Sequence, residues 1–296
     1  MTPKPAETLR LLHLSDLHFG RVNPGLVAPL LQAVQGLAPA LVVISGDLTQ
    51  RARAAQFAQA RDFLYRLGVP WLAVPGNHDI PLDRPVLRVL RPFGAYRRAI
   101  CRDLAPVAAL PGLSVLGFNT ATPRHWQAGR IGAGRFVALL ARVRAAKARG
   151  QVVAVVAHHP FSQPPGTPKQ PLAGAAAALE ALATAGADLI LSGHLHRWAL
   201  APHAAPGGGA RLLQVQAGTT LSTRERGEPN DFAVIDLTPG DPARLRIARH
   251  AARDPGGFSE TARQGFDRAG DLWRPSPDQS GKMPGEVSAP SSNFDR

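Results

Sequence analysis

The sequence predicts an α/β fold for the first 250 residues, and two observations support this prediction. Short apolar runs rich in Leu, Val and Ile alternate with longer amphipathic stretches, which is typical of strands alternating with helices. The chain has 296 residues, of which 45% are hydrophobic. A chain of this size and composition can bury a substantial core in one large domain or two ordinary ones.

The apolar runs are short enough to be strands, and the stretches between them have helical periodicity. The predicted strands are residues 9–14, 40–45, 71–74, 113–118, 151–157 and 187–192. The predicted helices are residues 25–37, 53–67, 134–149 and 172–185. In the second helix, Phe57, Leu64 and Leu67 share one face.

After residue 196 the pattern changes from alternating strands and helices to strands alone. Residues 197–202 and 211–217 flank a Pro-Gly-Gly-Gly segment, which predicts a hairpin, and residues 232–237 and 243–248 predict two more strands. From residue 251 the chain is rich in Gly, Pro, Ser and Asp without periodicity. We therefore predict an N-terminal segment (1–8), a domain (9–250) and a disordered tail (251–296).

Cysteine content and hydropathy bear on the compartment. The only cysteine, Cys101, cannot form an internal disulfide, which fits a reducing compartment. The first ten residues are polar and lack the apolar segment of a signal peptide. No apolar run approaches the roughly 18 residues of a membrane-spanning helix. These features predict a cytoplasmic protein without a membrane span, and they leave its oligomeric state open.

The formal net charge is +13, and the excess lies in the first 250 residues, because the last 46 carry six Lys/Arg against seven Asp/Glu. A basic domain attracts anions such as phosphate esters. An arginine-rich solvated surface would give the same excess, so both interpretations stay open. No Lys/Arg block typical of a nucleic-acid-binding arm is present, and nucleic acid is therefore not the favoured partner.

Candidate ligand residues follow the carboxyl ends of five predicted strands. They are Asp16 and His18 after the first strand, Asp47 after the second, Asn77, His78 and Asp79 after the third, His158 and His159 after the fifth, and His194 and His196 after the sixth. In open α/β sheets, ligands bind outside the carboxyl ends of the strands. We therefore expect these side chains to converge on one edge.

Imidazole nitrogens with carboxylate and amide oxygens favour Mn, Fe or Zn over Ca. Seven ligands exceed the needs of a single ion but suit two ions that share a bridge, which Asp47 could supply. Of the residues named above, the seven we take as ligands are Asp16, His18, Asp47, Asn77, His158, His194 and His196. In two-metal hydrolases the ions lie about 3.5–4 Å apart and clamp the attacking and leaving oxygens. A metal-bridging hydroxide would serve as the nucleophile, so no Ser or Cys nucleophile is required.

The order of these motifs resembles the calcineurin-like metallophosphoesterase superfamily. Its pattern appears here as Asp16-Leu17-His18, Gly46-Asp47, Gly76-Asn77-His78-Asp79, His158 and Gly193-His194-Leu195-His196, in order across residues 9–250. Each motif alone is weak evidence, whereas the ordered set is specific. The resemblance implies a four-layer αββα sandwich of two mixed sheets flanked by helices.

The resemblance also implies individual roles. Asp16, His18 and His196 would hold one metal, Asn77, His158 and His194 the other, and Asp47 would bridge them. His78 would act at the phosphoryl group as a general acid or transition-state stabiliser, and Asp79 would accept the second ring hydrogen of His78. His159 is the alternative to His158; we choose His158 because it comes first after the strand. His13, inside a strand, is interpreted as structural.

Substrate contacts are harder to identify from the sequence, because arginines are abundant. The candidates on loops near the expected edge are Arg21, His125, Arg130, Arg224 and Arg226. The form of the chain is closest to bacterial class III cyclic nucleotide phosphodiesterases, which implies hydrolysis of cyclic nucleotides or other small phosphodiesters.

Three alternatives remain within the same superfamily: a phosphomonoesterase or pyrophosphatase, a nuclease, and a non-catalytic scaffold. The nuclease is disfavoured because no extra nucleic-acid-capping segment is found. The lipid A pathway pyrophosphatases often have Arg where His78 stands, which counts against that branch. The scaffold is disfavoured because no ligand position is lost.

Overall fold

Two half-sheets form the centre of the molecule in this computed structural model, which describes residues 7–164, 166–206, 208–253 and 256–276. The first half-sheet has the order β3-β2-β1-β10-β11-β12. Its strands are β1 (Leu9–Leu14), β2 (Leu41–Ile44), β3 (Trp71–Ala73), β10 (Asp231–Thr238), β11 (Arg244–Arg253) and β12 (Gly257–Ala269). The first three are parallel to one another, whereas β1 pairs antiparallel with β10, which starts an antiparallel meander.

The second half-sheet has the order β9-β7-β6-β5-β4, and β8 pairs with β9 as an antiparallel hairpin. Its strands are β4 (Val107–Leu110), β5 (Leu113–Gly117), β6 (Val152–Val156), β7 (Leu189–Ser192), β8 (Ala199–Ala204) and β9 (Ala210–Gln216). A last short strand, β13 (Leu272–Pro275), pairs with β12 and touches β9 through Trp273 opposite Ala210. This strand joins the two half-sheets into one continuous hydrogen-bonded path.

The half-sheets pack face to face with helices outside, giving the four layers that the resemblance implied. The helices are α1 (Pro24–Leu37), α2 (Ala54–Arg66), α3 (Pro85–Leu90), α4 (Gly94–Ala99), α5 (Ala133–Ala148) and α6 (Ala175–Ala185). A central core lies between the half-sheets and includes Val43 of β2, Val156 of β6 and Trp273 of β13. A second core lies under α1, α2 and α4, and a third under α5 and α6.

Local sequence explains why the helices begin and end where they do. Asn23 caps α1 by accepting a hydrogen bond from Gly25 N (3.1 Å), and Pro24 occupies the first helical position. α6 ends at Gly186, whose φ of +94° is the left-handed conformation that favours glycine. β6 is buried on both faces, as expected for a central parallel strand covered by helices on one side.

The six predicted strands correspond to β1, β2, β3, β5, β6 and β7, and the predicted hairpin is β8–β9. The prediction of a disordered tail from residue 251 is wrong for its described part. Residues 257–269 and 272–275 form β12 and β13, with Phe266 and Trp273 buried in the central core. Apart from Phe266 and Trp273, Ala262 is the one described hydrophobic side chain of these strands that is buried, so the segment lacks the apolar runs by which strands are recognised in a sequence. Residues 277–296 of the predicted tail, and residues 1–6 of the predicted N-terminal segment, lie outside the described residues.

Candidate metal centre

Loops after β1, β2, β3, β6 and β7 bring seven candidate ligands to one edge of the sandwich. All seven are almost completely buried: Asp16, His18, Asp47, Asn77, His158, His194 and His196. Five of them have positive φ, between 51° and 71°: Asp16, His18, Asp47, His194 and His196. Non-glycine residues rarely adopt this conformation, which costs on the order of 1–3 kcal/mol each and persists where the surrounding structure enforces it. The strain is therefore concentrated at this edge.

The first group of ligand atoms comes from the loops after β1 and β7. His196 Nε2 lies 3.1 Å from Asp16 Oδ1 and 3.2 Å from His18 Nε2. His18 Nε2 lies 3.5 Å from Asp16 Oδ1. These three atoms surround one point, and together they could hold a metal ion.

The second group comes from the loops after β3, β6 and β7. His158 Nε2 lies 3.1 Å from Asn77 Oδ1 and 3.3 Å from His194 Nδ1. The Asp47 carboxylate lies between the two groups, because its Oδ2 is 3.4 Å from His158 Nε2 and 3.7 Å from His18 Nε2. One carboxylate oxygen therefore faces both sets of ligand atoms.

The outer ring nitrogens of His158 and His196 donate hydrogen bonds, so the inner ring nitrogens carry a lone pair instead of a hydrogen when the rings are neutral. His158 Nδ1 donates to Ser45 O (2.9 Å), and His196 Nδ1 donates to Arg224 O (2.9 Å). In the neutral rings, each inner Nε2 is therefore an acceptor that faces other acceptors. Asp16 Oδ1 is buried without a hydrogen-bond donor among the described residues. Buried acceptors in mutual contact require a cation, and this donor set fits a divalent transition metal.

The close contacts between these side chains also shift the pKa values of His158 and Asp47. Burial disfavours the charged form of His158, but the charge of Asp47, its hydrogen bond and the charge of Asp16 raise the pKa of His158 to about 9. Burial also disfavours the Asp47 carboxylate, yet the nearby charges of His158 and His78 hold its pKa well below the usual range. Positive charge is thus required at the centre of the cluster, whether from protons or from metal ions.

A buried hydrogen-bond chain holds Asp16 from behind. Its Oδ2 accepts from Ser15 Oγ (2.6 Å) and His194 N (2.8 Å). Ser15 Oγ in turn accepts from Ser45 Oγ (2.8 Å), which lies 2.9 Å from His13 Nε2. His13 is therefore structural, as interpreted from the sequence. The serines were missed, although each directly precedes a predicted ligand or its glycine.

Glycines allow the loops to approach each other closely. A Cβ atom on Gly193 would overlap Ser15 Oγ and Asp16 Oδ2, and one on Gly76 would overlap the Asp47 carboxylate. Neither glycine has positive φ, so the constraint is purely steric at these two positions.

His78 lies beside the cluster, but the prediction that its ring donates a hydrogen bond to Asp79 is wrong. His78 Nδ1 donates to Gln50 O (2.9 Å), and not to Asp79. The Asp79 carboxylate instead accepts from the backbone N–H groups of Leu48, Thr49 and Gly76 (3.2, 2.9 and 3.0 Å), which ties the loops after β2 and β3 together. Backbone donors occupy the Asp79 carboxylate, and residue types alone do not reveal them.

The adjacent histidines differ in what their ring nitrogens contact. His158 Nε2 lies 3.4 Å from Asp47 Oδ2, whereas both ring nitrogens of His159 are within hydrogen-bond distance of other groups, Thr120 Oγ1 (2.8 Å) and Gln127 O (2.9 Å). His159 does form a compact group with His158 and His194, so its ring lies directly behind the second set of ligand atoms.

Of the predicted substrate contacts, Arg224 lies nearest the cluster, with Nη1 3.2 Å from His78 Nε2. Arg226 is exposed and lines a small cavity of about 60 Å³ with Lys169 and Arg197. Lys169, which was not singled out from the sequence, donates to His194 O. Burial, with the charges of Arg226 and Arg224, lowers the pKa of Lys169 to about 8 despite Asp16 and Asp47.

The side chains of the other three candidates make no contact with the cluster among the described residues, although Arg21 N donates to His18 O (2.8 Å). Arg21 lines a separate groove of about 750 Å³ between α1 and α2. His125 and Arg130 are exposed on the loop after β5. Among the described residues their backbones are held, since His125 O accepts from Arg88 (2.8 Å) and Arg130 N donates to Thr120 O (2.8 Å).

Comparisons with known proteins agree with this geometry. The family model "Calcineurin-like phosphoesterase" matches residues 9–198. A probable cyclic nucleotide phosphodiesterase from Synechococcus is 26% identical over 129 residues, which is 40% of this chain and 47% of that protein. A glycerophosphodiester phosphodiesterase from Enterobacter lignolyticus is 36% identical over 105 residues, which is 32% of this chain and 34% of that protein. The matched segments thus span less than half the length of either relative.

Among solved structures, a purple acid phosphatase from yellow lupin seeds superimposes with a TM-score of 0.66 at 14% identity, over 87% of this chain and 54% of that one. This likeness supports the fold. Among the described helices, none combines the length and the apolar character needed to cross a bilayer. The family match covers more than half of the chain and includes all seven clustered residues, and the chain belongs to the calcineurin-like phosphoesterase family.

Proposed function

We propose that this chain is a two-metal phosphodiesterase that hydrolyses cyclic nucleotides or other small phosphodiesters. The observation that carries the proposal is the position of Asp47 Oδ2, within 3.7 Å of His18 Nε2 and 3.4 Å of His158 Nε2. A carboxylate that faces two ligand groups suits a bridge between two ions. When bound, the ions supply Lewis-acid activation of the phosphate ester and of the attacking water.

The distances between the ligand atoms support the division of ligands that the family resemblance implies. Asp16, His18 and His196 would hold one ion, and Asn77, His158 and His194 the other, with Asp47 shared. The buried chain behind Asp16 and the Ser45 carbonyl behind His158 fix the orientation of these ligands. Such outer hydrogen bonds commonly determine how well a site binds its metal.

Arg224 would stabilise the negative charge that develops on the phosphoryl group. Its guanidinium reaches the edge of the cluster, where His78 Nε2 accepts from Arg224 Nη1 (3.2 Å). Because His78 Nδ1 donates to Gln50 O, the neutral ring has no proton on Nε2 to give to a leaving group. A second proton on this ring would be disfavoured beside two metal ions. His78 therefore acts as a positioning residue for Arg224, and general acid catalysis by His78 is the alternative.

The preference for diesters rests on the named relatives, both of which are described as phosphodiesterases. Charge does not decide the question, because two dipositive ions beside two carboxylates would attract a monoanionic diester or a dianionic monoester. Lys169 and Arg226 would contact the remainder of the substrate beyond the scissile phosphate. The nitrogen and oxygen ligands fit Mn, Fe or Zn.

The test is a screen of one metal-loaded preparation on phosphodiesters, phosphomonoesters and pyrophosphates. We expect the highest kcat/KM for a diester, and we expect chelation to abolish turnover and Mn²⁺ to restore it. Faster turnover of monoesters or pyrophosphates than of every diester would favour the phosphomonoesterase or pyrophosphatase alternative. Cleavage of polynucleotides in preference to small diesters would favour a nuclease. No turnover of any ester by protein with full metal content would favour the scaffold.

A further inference from the structure

Helix α3 presents its apolar side chains to solvent and its charge to the interior. Four of its six residues are exposed hydrophobics, with exposed fractions from 41% for Leu87 to 73% for Val89. Arg88, in contrast, is only 6% exposed. This distribution is the reverse of an ordinary surface helix, which buries its apolar face.

Arg88 holds this inverted helix in place. Its guanidinium donates to the carbonyl oxygens of Pro81 (3.1 Å), Pro123 (2.8 Å) and His125 (2.8 Å). It also lies 5.2 Å from the ring centroid of Trp126, a side chain that is 62% exposed. The buried cation therefore fixes the outward direction of the helix and brings an exposed tryptophan beside it.

The exposed side chains of Val86, Leu87, Val89, Leu90 and Trp126 form what we call the α3 patch. Scattered exposed hydrophobics are normal, but contiguous ones mark surfaces that bind a partner. Nothing among the described residues covers these five side chains. The patch requires an explanation outside the domain's own core.

The arginines on the segment that carries the patch favour a negatively charged partner. Residues 84–102 contain six arginines and no acidic residue. Of these, Arg91, Arg97, Arg98 and Arg102 are exposed and form no ion pair with any described residue. Exposed apolar side chains and an exposed tryptophan, with unpaired arginines on the same segment of the chain, match a bilayer surface with anionic lipids.

A second copy of this chain fits the patch less well. Five side chains are far fewer than the roughly 20–30 residues on each side of a stable protein interface. A two-fold contact through this segment would also bring the arginines of one copy towards those of the other, and like charges repel.

We propose that the α3 patch binds the surface of an anionic membrane. The patch lies at the same edge of the sandwich as the metal centre. Arg84 of this segment donates to Ala52 O (2.7 Å), next to the loop that holds His78 through Gln50. Binding there brings the site close to the lipid headgroups.

The experiment is co-sedimentation of the full chain with vesicles of phosphatidylcholine, with or without phosphatidylglycerol. We expect binding to the anionic vesicles that weakens as salt is added, and little binding to phosphatidylcholine alone. Val89→Glu/Leu90→Glu should weaken partitioning at least tenfold, as expected for removing two inserted apolar side chains and adding two negative charges. Arg97→Gln/Arg98→Gln should weaken binding to the anionic vesicles.

The matched control is Val137→Glu, because Val137 on α5 is 66% exposed and lies in another layer. It should bind as the wild type does. Thermal melting by circular dichroism shows whether each variant is folded, and Trp126→Ala tests the patch from a separate loop if the double variant does not fold. Absent binding to anionic vesicles, or equal binding by wild type, Val89→Glu/Leu90→Glu and Trp126→Ala, would overturn the proposal. A dimer that the patch variants dissociate would also overturn it, and would assign the patch to a second copy.

Discussion

Trp273→Ala should strongly destabilise the fold, because Trp273 is the point where the two half-sheets meet. The side chain is fully buried in the central core, its backbone pairs with Ala210, and its Nε1 donates to Asp188 Oδ1 (3.1 Å). Replacing a buried Trp by Ala costs about 3–5 kcal/mol, and the lost hydrogen bond adds about 1 kcal/mol. Asp188 keeps Lys147 at 3.0 Å, so no buried acceptor is left without a partner.

The expected loss of about 4–6 kcal/mol is a large part of the roughly 5–15 kcal/mol that stabilises an ordinary domain. Urea unfolding followed by fluorescence or circular dichroism measures it, provided that the transition is two-state. Trp273→Phe, which keeps a ring in the core, should lose only about 1–3 kcal/mol. Tyr65→Ala is the control, because Tyr65 on α2 is 71% exposed and its loss should stay within about 0.5 kcal/mol.

A loss below about 1 kcal/mol for Trp273→Ala would refute this reasoning. It would mean that β13 contributes little and that the residues from 251 onward behave as the tail that the sequence predicted. A chain ended at residue 256 is the coarser version of the same test, since it would remove β12 and β13 and leave β11 as an open edge.

Two further predictions concern the site. Gly76→Ala should lower turnover about 10²-fold or more, because the added Cβ overlaps the Asp47 carboxylate and displaces it. The control is Gly134→Ala on α5, where the added Cβ meets open space and turnover should stay unchanged. Equal effects of the two substitutions on kcat would contradict the steric argument. Arg224→Gln and His78→Ala should each lower kcat, by about 10²-fold for Arg224, with similar losses on an alkyl diester and on bis-nitrophenyl phosphate. A loss for His78→Ala that is much larger on the alkyl diester would instead establish general acid catalysis.

The ligand cluster could be predicted from the sequence because its determinants are local. Asp16, His18, Asp47 and the others each follow a short run rich in Leu, Val and Ile, and such runs are recognisable as buried strands. Parallel strands then bring their carboxyl ends to one edge whatever the connecting loops are.

The remaining features depend on contacts between distant segments. β12 and β13 carry few buried apolar residues. They are held by backbone pairing, β12 with β11 and β13 with β9, and the amino-acid composition of a segment does not reveal such pairing. Gln50 holds His78 through a backbone carbonyl, which every residue possesses. Arg224 and Lys169 are two of 34 basic residues, and only the folded loops distinguish them from the rest.

The proposal depends above all on Asp47 bridging two metal ions. The most direct test is to load wild type and Asp47→Asn with Mn²⁺ and to measure the metal-to-protein ratio and the diester turnover of each. The control is Asp62→Asn, an exposed carboxylate on α2. We predict two ions per chain in wild type and in the control, and fewer than two in Asp47→Asn with most of the turnover lost. Two ions and undiminished turnover in Asp47→Asn, or a fully active wild type with one ion, would contradict the claim.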